Sequence, residues 1–420
     1  MRIVDVAEFY AERGGGVRTY VDQKLRAAAE HGHELLVIAP GARDAIERRF
    51  GSRVAWVASP PLPVDPRYRL LLRERAVHAL IDQEQPDILE GSSAWTGGLF
   101  VARYRGSVNS VRRTRKSFVF HQDPVAVYPQ TLLGGVLGAG RVDALCGPYW
   151  AYLRRLSAHF DVTVVAGAWL SARLAAHGVA RTLTVPFGVD KTLFGAAQAD
   201  ATLRAELLAK AHCGPDASLL VSVSRHHPEK RLGTLFQAVK LAAAKRPLAL
   251  VVYGDGPLAR WSALQAKGLP VYLAGVTRDR ALLARVLASA DALLHGSAAE
   301  TYGLVVAEAL CAGLPVIVPN AGGAAELAGD AYAERYTAGD APSCAAAIER
   351  LLARRSTELR AASKQAAQER VLDVHAHFER LFAAYQSLAA ADQPARVTAT
   401  NSARSSRRNS SRSNSQSSPA

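Results

Sequence analysis

The chain has 420 residues, 49% of them hydrophobic, and a formal net charge of +14. A single core stops growing beyond roughly 250–300 residues, so two domains are expected, with enough apolar mass to fill both. No apolar run is long enough to span a bilayer, Asp5 and Glu8 interrupt any signal-peptide core, and the scattered Cys146, Cys213, Cys311 and Cys344 exclude a disulfide frame or zinc site, so a cytoplasmic protein is expected. In chain order, residues 2–9 read as a strand, followed by a loop and three glycines (14–16) that open a helix over 16–31. Strand-like runs at 34–40, 54–59, 88–93, 117–121, 162–167 and 182–187 alternate with helical stretches such as 69–85 and 169–177. A second series has strands near 218–224, 248–253, 270–275, 291–295 and 315–318. Such alternation predicts parallel βα units, and two series predict two doubly wound, Rossmann-like α/β domains facing a central cleft. The alanine-rich stretch 191–202 holds the boundary, giving domains at 1–195 and 196–372. Residues 393–420, mostly Ser, Arg and Asn, form a basic tail that cannot bury enough apolar surface to fold.

Five of the positive charges are arginines in the last 25 residues, and subtracting those five from +14 leaves +9 on the body. The stretch 103–116 holds Arg103, Arg105, Arg112, Arg113, Arg115 and Lys116 without an acid. It suits an anionic membrane surface as a partner, or it is a solvated loop. A polyanion-binding protein would use the same charges on RNA or DNA. The chain has no nucleic-acid module, and no aromatics interleave the tail arginines, so no nucleic-acid partner is expected.

The densest signal is the pair Glu300 and Glu308 in HGSAAETYGLVVAEALCAG (295–313). A buried strand enters a loop, and helix-forming residues run from Gly303 to a stop at Gly313. Glu300 then lies in the loop, and Glu308 lies roughly 7–8 Å along the helix from Gly303. Between them, the first free N–H groups of the helix make a ready phosphate site. Two solvated glutamates on an ordinary strand–loop–helix are the alternative. In SRHHPEK (224–230), Arg225 and Lys230 offer a guanidinium fork and a compact ammonium to one diphosphate. YGDGP (253–257), with Gly254, is a tight turn after a strand. Gly15 and Gly16 let backbone approach a ligand closely. No Asp-x-Asp pair of the metal-binding kind follows a strand, so neither a metal nor another cofactor is expected.

With those motifs in that order, and with His121 in FHQDP, PFGVD before Phe194, and PNAGGAAEL (319–327), the chain resembles the group 1 (family 4) retaining glycosyltransferases of the GT-B fold over about residues 2–385. FHQDP and PYWAYLRRL (148–156) are similar to mannosyltransferases and sugar-lipid synthases within that family. The resemblance implies retaining transfer of a sugar from a nucleotide-sugar, GDP-mannose ahead of UDP-glucose or UDP-galactose, to a lipid-linked or saccharide acceptor. It places His121 at the reacting centre, Glu300 on the sugar hydroxyls, Arg225 and Lys230 on the diphosphate, and Glu308 on the ribose. It sets the N–H groups of Tyr302, Gly303, Leu304 and Val305 close to the phosphate, with Gly15, Gly16 and Gly254 completing the donor site. It also implies a final helix, 373–392, returning to the first domain. Trp95, Tyr128, Tyr149, Trp150 and Tyr152 either stack on the acceptor or pack in the core. A sugar-nucleotide epimerase on the same fold is an alternative. The lack of a Gly-x-Gly-x-x-Gly at the first strand–helix turn argues against a dinucleotide oxidoreductase.

Overall fold

The computed structural model describes residues 1–11, 16–63, 68–106 and 113–390. Of the features above, Gly14, Gly15, Arg112 and the tail 393–420 lie outside them. The first half is built on eight strands: β1 (Arg2–Val6), β2 (Glu34–Gly41), β3 (Ala45–Arg49), β4 (Ser52–Ala58), β5 (Ile88–Gly91), β6 (Arg115–Val119), β7 (Val162–Val165) and β8 (Thr182–Thr184). Their order is β3-β4-β2-β1-β5-β6-β7-β8, and neighbours are parallel except β3 with β4. No strand is expected from sequence at Ala45–Arg49, because AIERR carries charge on both faces. It forms as an edge strand, turned back onto β4 through Phe50 and Gly51 at φ 51° and 82°, the two left-handed residues a tight hairpin needs.

After the short β9 (Gly188–Val189), the second half has β10 (Ser218–Val223), β11 (Leu248–Tyr253), β12 (Val271–Gly275), β13 (Ala292–Leu294), β14 (Val316–Pro319) and β15 (Ala333–Tyr336). These run parallel in the order β12-β11-β10-β13-β14-β15. LALVVY of β11 is buried at every position and β2 at every position after Glu34, as strands covered by helices on both faces must be. The order reverses at β1/β5 and again at β10/β13, the positions where such sheets open a ligand crevice at their carboxyl ends. β16 (Leu372–Asp373) pairs with β9, and the chain then enters the helix Val374–Ala390. This helix buries Phe378, Leu381, Phe382 and Tyr385 among Ile3, Leu25, Val37 and Val164 of the first half. Two Rossmann-like halves about a crevice are the GT-B architecture.

Candidate active site

Loops after β1, β5, β6 and β13, with the start of the helix Gly16–Glu30, enclose a crevice of about 510 Å³. The structure brings together there Gly16, Trp95 and His121 of the first half with Glu300, Tyr302, Gly303, Leu304 and Glu308 of the second. Arg225, Lys230, Gly254 and Val305 are not among the residues that line it. Arg225 is exposed, 3.9 Å from Glu229. Gly254, at φ 140°, lets the YGDGP turn lie on the SRHH loop; a Cβ there would stand 1.8 Å from the Ser224 carbonyl oxygen.

His121 follows β6 and is half-buried with both ring nitrogens shielded from solvent, its ring flanked by Tyr20 (5.3 Å between centroids) and Phe187 (4.8 Å). Neither ring nitrogen has a hydrogen-bond partner among the described residues, an uncommon state for buried polar atoms. Burial, then the charges of His377 and Lys24, push its pKa down to about 3, so the imidazole is neutral. Its carbonyl oxygen accepts the Thr301 hydroxyl at 2.7 Å, a bond that joins the two walls one residue from Glu300.

Lys230 closes the short turn Pro228–Lys230 and donates to Glu300 Oε1. Burial would raise the Glu300 carboxyl, but Lys230, His295 and Arg225 outweigh it and hold the group below its ordinary value, as a carboxylate. The Glu300 carbonyl accepts the Gly323 N–H at 2.7 Å. A Cβ on Gly323 would stand 2.6 Å from the Tyr302 nitrogen, so the glycines of PNAGG let that segment prop the Glu300 loop. The helix Leu304–Cys311 starts from Gly303, whose carbonyl takes the N–H groups of Val306 and Ala307 at 2.9 and 3.1 Å. The N–H groups of Leu304 and Val305, in the first turn, have no intrahelical acceptor. The Tyr302 ring meets Phe187 edge-on. Glu308 is buried and accepts from Arg280 Nη2 at 2.6 Å; burial raises its carboxyl while Arg280 opposes the rise.

Sequence reasoning did not single out Arg280, although GVTRDR (275–280) sits at a strand end like the other motifs. It also missed a buried ion trio in the first half. Lys24 Nζ donates to Asp5 Oδ2 (2.9 Å) and Glu90 Oε1 (2.5 Å), and the Tyr385 hydroxyl donates to Glu90 Oε2 (2.5 Å). The available signal was an acid inside an apolar strand, Asp5 in RIVDVA and Glu90 in DILEG. Glu326 reaches across from the second half to accept the N–H groups of Ala168 and Trp169, both at 3.0 Å, capping the helix Ala168–Ala176. Of the five aromatics, Trp150 is buried and stacked on His177, and the Tyr152 hydroxyl donates to the Ala94 carbonyl. Trp95 and Tyr128 are exposed. Among the described residues no group of three or more His, Cys, Asp or Glu is placed to hold a metal ion.

The family described as Glycosyltransferase Family 4 matches residues 14–193, and Glycosyl transferases group 1 matches residues 217–354. A GDP-mannose-dependent alpha-mannosyltransferase of Mycolicibacterium smegmatis is 31% identical over 365 residues, 84% of this chain and 90% of that protein. A GDP-mannose-dependent alpha-(1-6)-phosphatidylinositol dimannoside mannosyltransferase of Mycobacterium tuberculosis is 29% identical over 341 residues, 78% of this chain and 81% of that protein. The solved sucrose-phosphate synthase of Thermosynechococcus elongatus matches with a TM-score of 0.73 at 20% identity, covering 93% of this chain and 99% of that one, a likeness of fold. With both halves matched and a relative 31% identical over most of its length, the chain belongs to the group 1, family 4 glycosyltransferases, enzymes that move a sugar from a nucleotide-sugar donor.

Proposed function

We propose that the protein transfers mannose from GDP-mannose, with retention at the anomeric carbon, to a lipid-linked or saccharide acceptor. One observation carries this reading: Glu300, ion-paired with Lys230, lines one crevice with the open first turn of the helix Leu304–Cys311 and with a neutral His121 whose nitrogens are both unspent. A departing diphosphate gains negative charge, and preorganised cations and N–H donors aimed at it lower the barrier most. The N–H groups of Leu304 and Val305 and the ammonium of Lys230 have that role, with Arg225 near enough for its charge to act on Glu300. Glu300, an acceptor-only carboxylate, takes the sugar hydroxyls, and Glu308, oriented by Arg280, takes the ribose hydroxyls. His121, uncharged, accepts through one nitrogen and donates through the other to the sugar or acceptor hydroxyl. Residues 1–195 hold the acceptor, 196–372 the donor, and the helix within 373–392 ties the second half back to the first. Because the positive groups at the diphosphate are side chains, turnover needs no divalent cation. GDP-mannose is favoured because the relatives at 29% and 31% identity are GDP-mannose-dependent. A place on the cytoplasmic side, held peripherally at an anionic membrane, fits a lipid-linked acceptor.

Thermal denaturation in the presence of GDP, UDP or ADP tests the donor. GDP at a hundred times its Kd should stabilise the fold by about 2.7 kcal/mol, with UDP and ADP well below that. Selective stabilisation by UDP overturns the mannose reading, and stabilisation by none of the three removes the donor site from this crevice.

A further inference from the structure

We propose that the paired helices Pro129–Leu137 and Ala139–Leu145 are a lipid-docking face that seats the enzyme on the surface of an anionic bilayer. The inference rests on the lipid-acceptor reading for its choice of a bilayer over another apolar partner, and on separate observations for its place. No residue of Pro129–Leu137 is buried. Val136 is 87% exposed, Leu132 69%, Leu133 46%, and Leu145 on the second helix 67%. Positions 132, 133 and 136 share one helix face. A nine-residue helix is marginal in water and ordinarily persists by burying its apolar face, yet this one turns that face to solvent.

Charge and size select the occupant. Between Pro124 and Val142 the single charged side chain is Arg141. Asp143, just beyond, is held by Arg173 through two bonds of 2.9 and 3.1 Å. An acid-free apolar strip on a basic body suits acyl chains bordered by anionic headgroups. A second copy of the chain is a poorer fit. The helix is ~14 Å long and offers a strip ~10 Å wide, well short of the ~800 Å² per partner of a stable interface. The chain's own tail, 393–420, has Val397 and a few alanines as its apolar content and cannot cover leucines.

The face is continuous with the crevice. Pro124, which opens this helical run, lines the crevice. Tyr128 meets His227 of the second half edge-on at 5.9 Å. A lipid acceptor lying along the helices would present its headgroup there. The members of the basic stretch 103–116 that enter β6, Arg115 and Lys116, are at the wrong end for this: they open the strand while the helices follow it, with Ser117, Phe118 and Val119 between, a rise of ~10 Å. Part of the stretch's charge is also spent inside the fold: Arg115 Nη1 donates to Asp161 at 3.0 Å, and Lys116 Nζ to the carbonyls of Ala102 and Tyr104.

Flotation with vesicles of phosphatidylglycerol and phosphatidylcholine, against phosphatidylcholine alone, tests the face without donor or acceptor. The full chain should bind the anionic vesicles. Leu132→Glu with Val136→Glu should weaken binding on the order of tenfold or more, while the GDP-induced thermal shift stays as in the parent protein. Leu132→Trp with Val136→Trp should strengthen binding, and Arg103→Gln with Arg105→Gln should leave it nearly unchanged. Undiminished flotation of the glutamate variant, no flotation of the parent, loss of flotation in the glutamine variant, or a dimer in sedimentation that the glutamate variant dissolves would each overturn the proposal. A failure of the sugar-transfer reading shows in turnover, and a failure of this one shows in flotation.

Discussion

Lys230 spends its charge on Glu300 in a pocket where burial alone would drive that carboxyl toward its neutral form. The pair therefore does two things at once. It keeps Glu300 an acceptor-only carboxylate, and it fixes a cation beside it. Lys230→Ala removes both, and we expect kcat/KM for the donor to fall about 100-fold, or roughly 3 kcal/mol, the scale of losing one oxyanion donor. The Glu300 carboxyl should also rise, moving the acid limb of the pH–rate profile to higher pH. Near-parental kcat/KM with an unmoved acid limb would place the diphosphate elsewhere. Across the crevice, Tyr20 touches His121 and its hydroxyl lies 3.2 Å from His377 Nε2, whose Nδ1 is 2.7 Å from the Pro186 carbonyl. His377, on the helix Val374–Ala390, thus steadies the wall that holds His121.

The helix Ala168–Ala176 belongs to the first half, yet its N-terminal N–H groups are satisfied by Glu326 of the second. A capping carboxylate contributes about 1 kcal/mol, and here that energy is available only while the halves are together. Glu326→Ala should therefore lower the thermal midpoint modestly and raise the donor KM, with Glu326→Gln recovering part of both. If both quantities match the parent protein, the cap is not made in solution. Elements of this kind divide sharply in how legible they are. The parallel strands could be read because a strand covered on both faces is a continuous apolar run, as in LALVVY. Ala45–Arg49 and Ala333–Tyr336 could not, because both are edge strands carrying charges among few apolar residues. In the site, Glu300 and Glu308 stand out because strand–loop–helix punctuation surrounds them. The partnerships of Lys24 with Glu90, Thr301 with His121 and Glu326 with Ala168 span 66, 180 and 158 positions, and no local pattern announces such pairs.

At the scale of the whole molecule, folding buries imidazoles around the crevice, and that makes stability depend on pH. Burial, the leading cause in each case, brings His121 to about 3 and His295 and His377 to about 4, against an unfolded value near 6.5. Each folded value is depressed, so between about pH 4 and 6.5 the unfolded chain binds protons that the native crevice refuses. Stability must then fall as pH falls through that window. Asp5 acts in the opposite sense. Burial, and then Glu90 working against Lys24, raises it to about 6, so the native state holds a proton there that the unfolded chain has released. Three histidines against one aspartate leave a difference of about two protons, and each is worth about 1.4 kcal/mol per pH unit. Urea unfolding at pH 7, 6 and 5 should show a loss of roughly 3 kcal/mol over the last unit. A flat profile would mean that His121, His295 and His377 are hydrated in solution. A slope of the expected size would mean that these imidazoles are desolvated before any donor binds, so that none of the donor's binding energy is spent on stripping water from them.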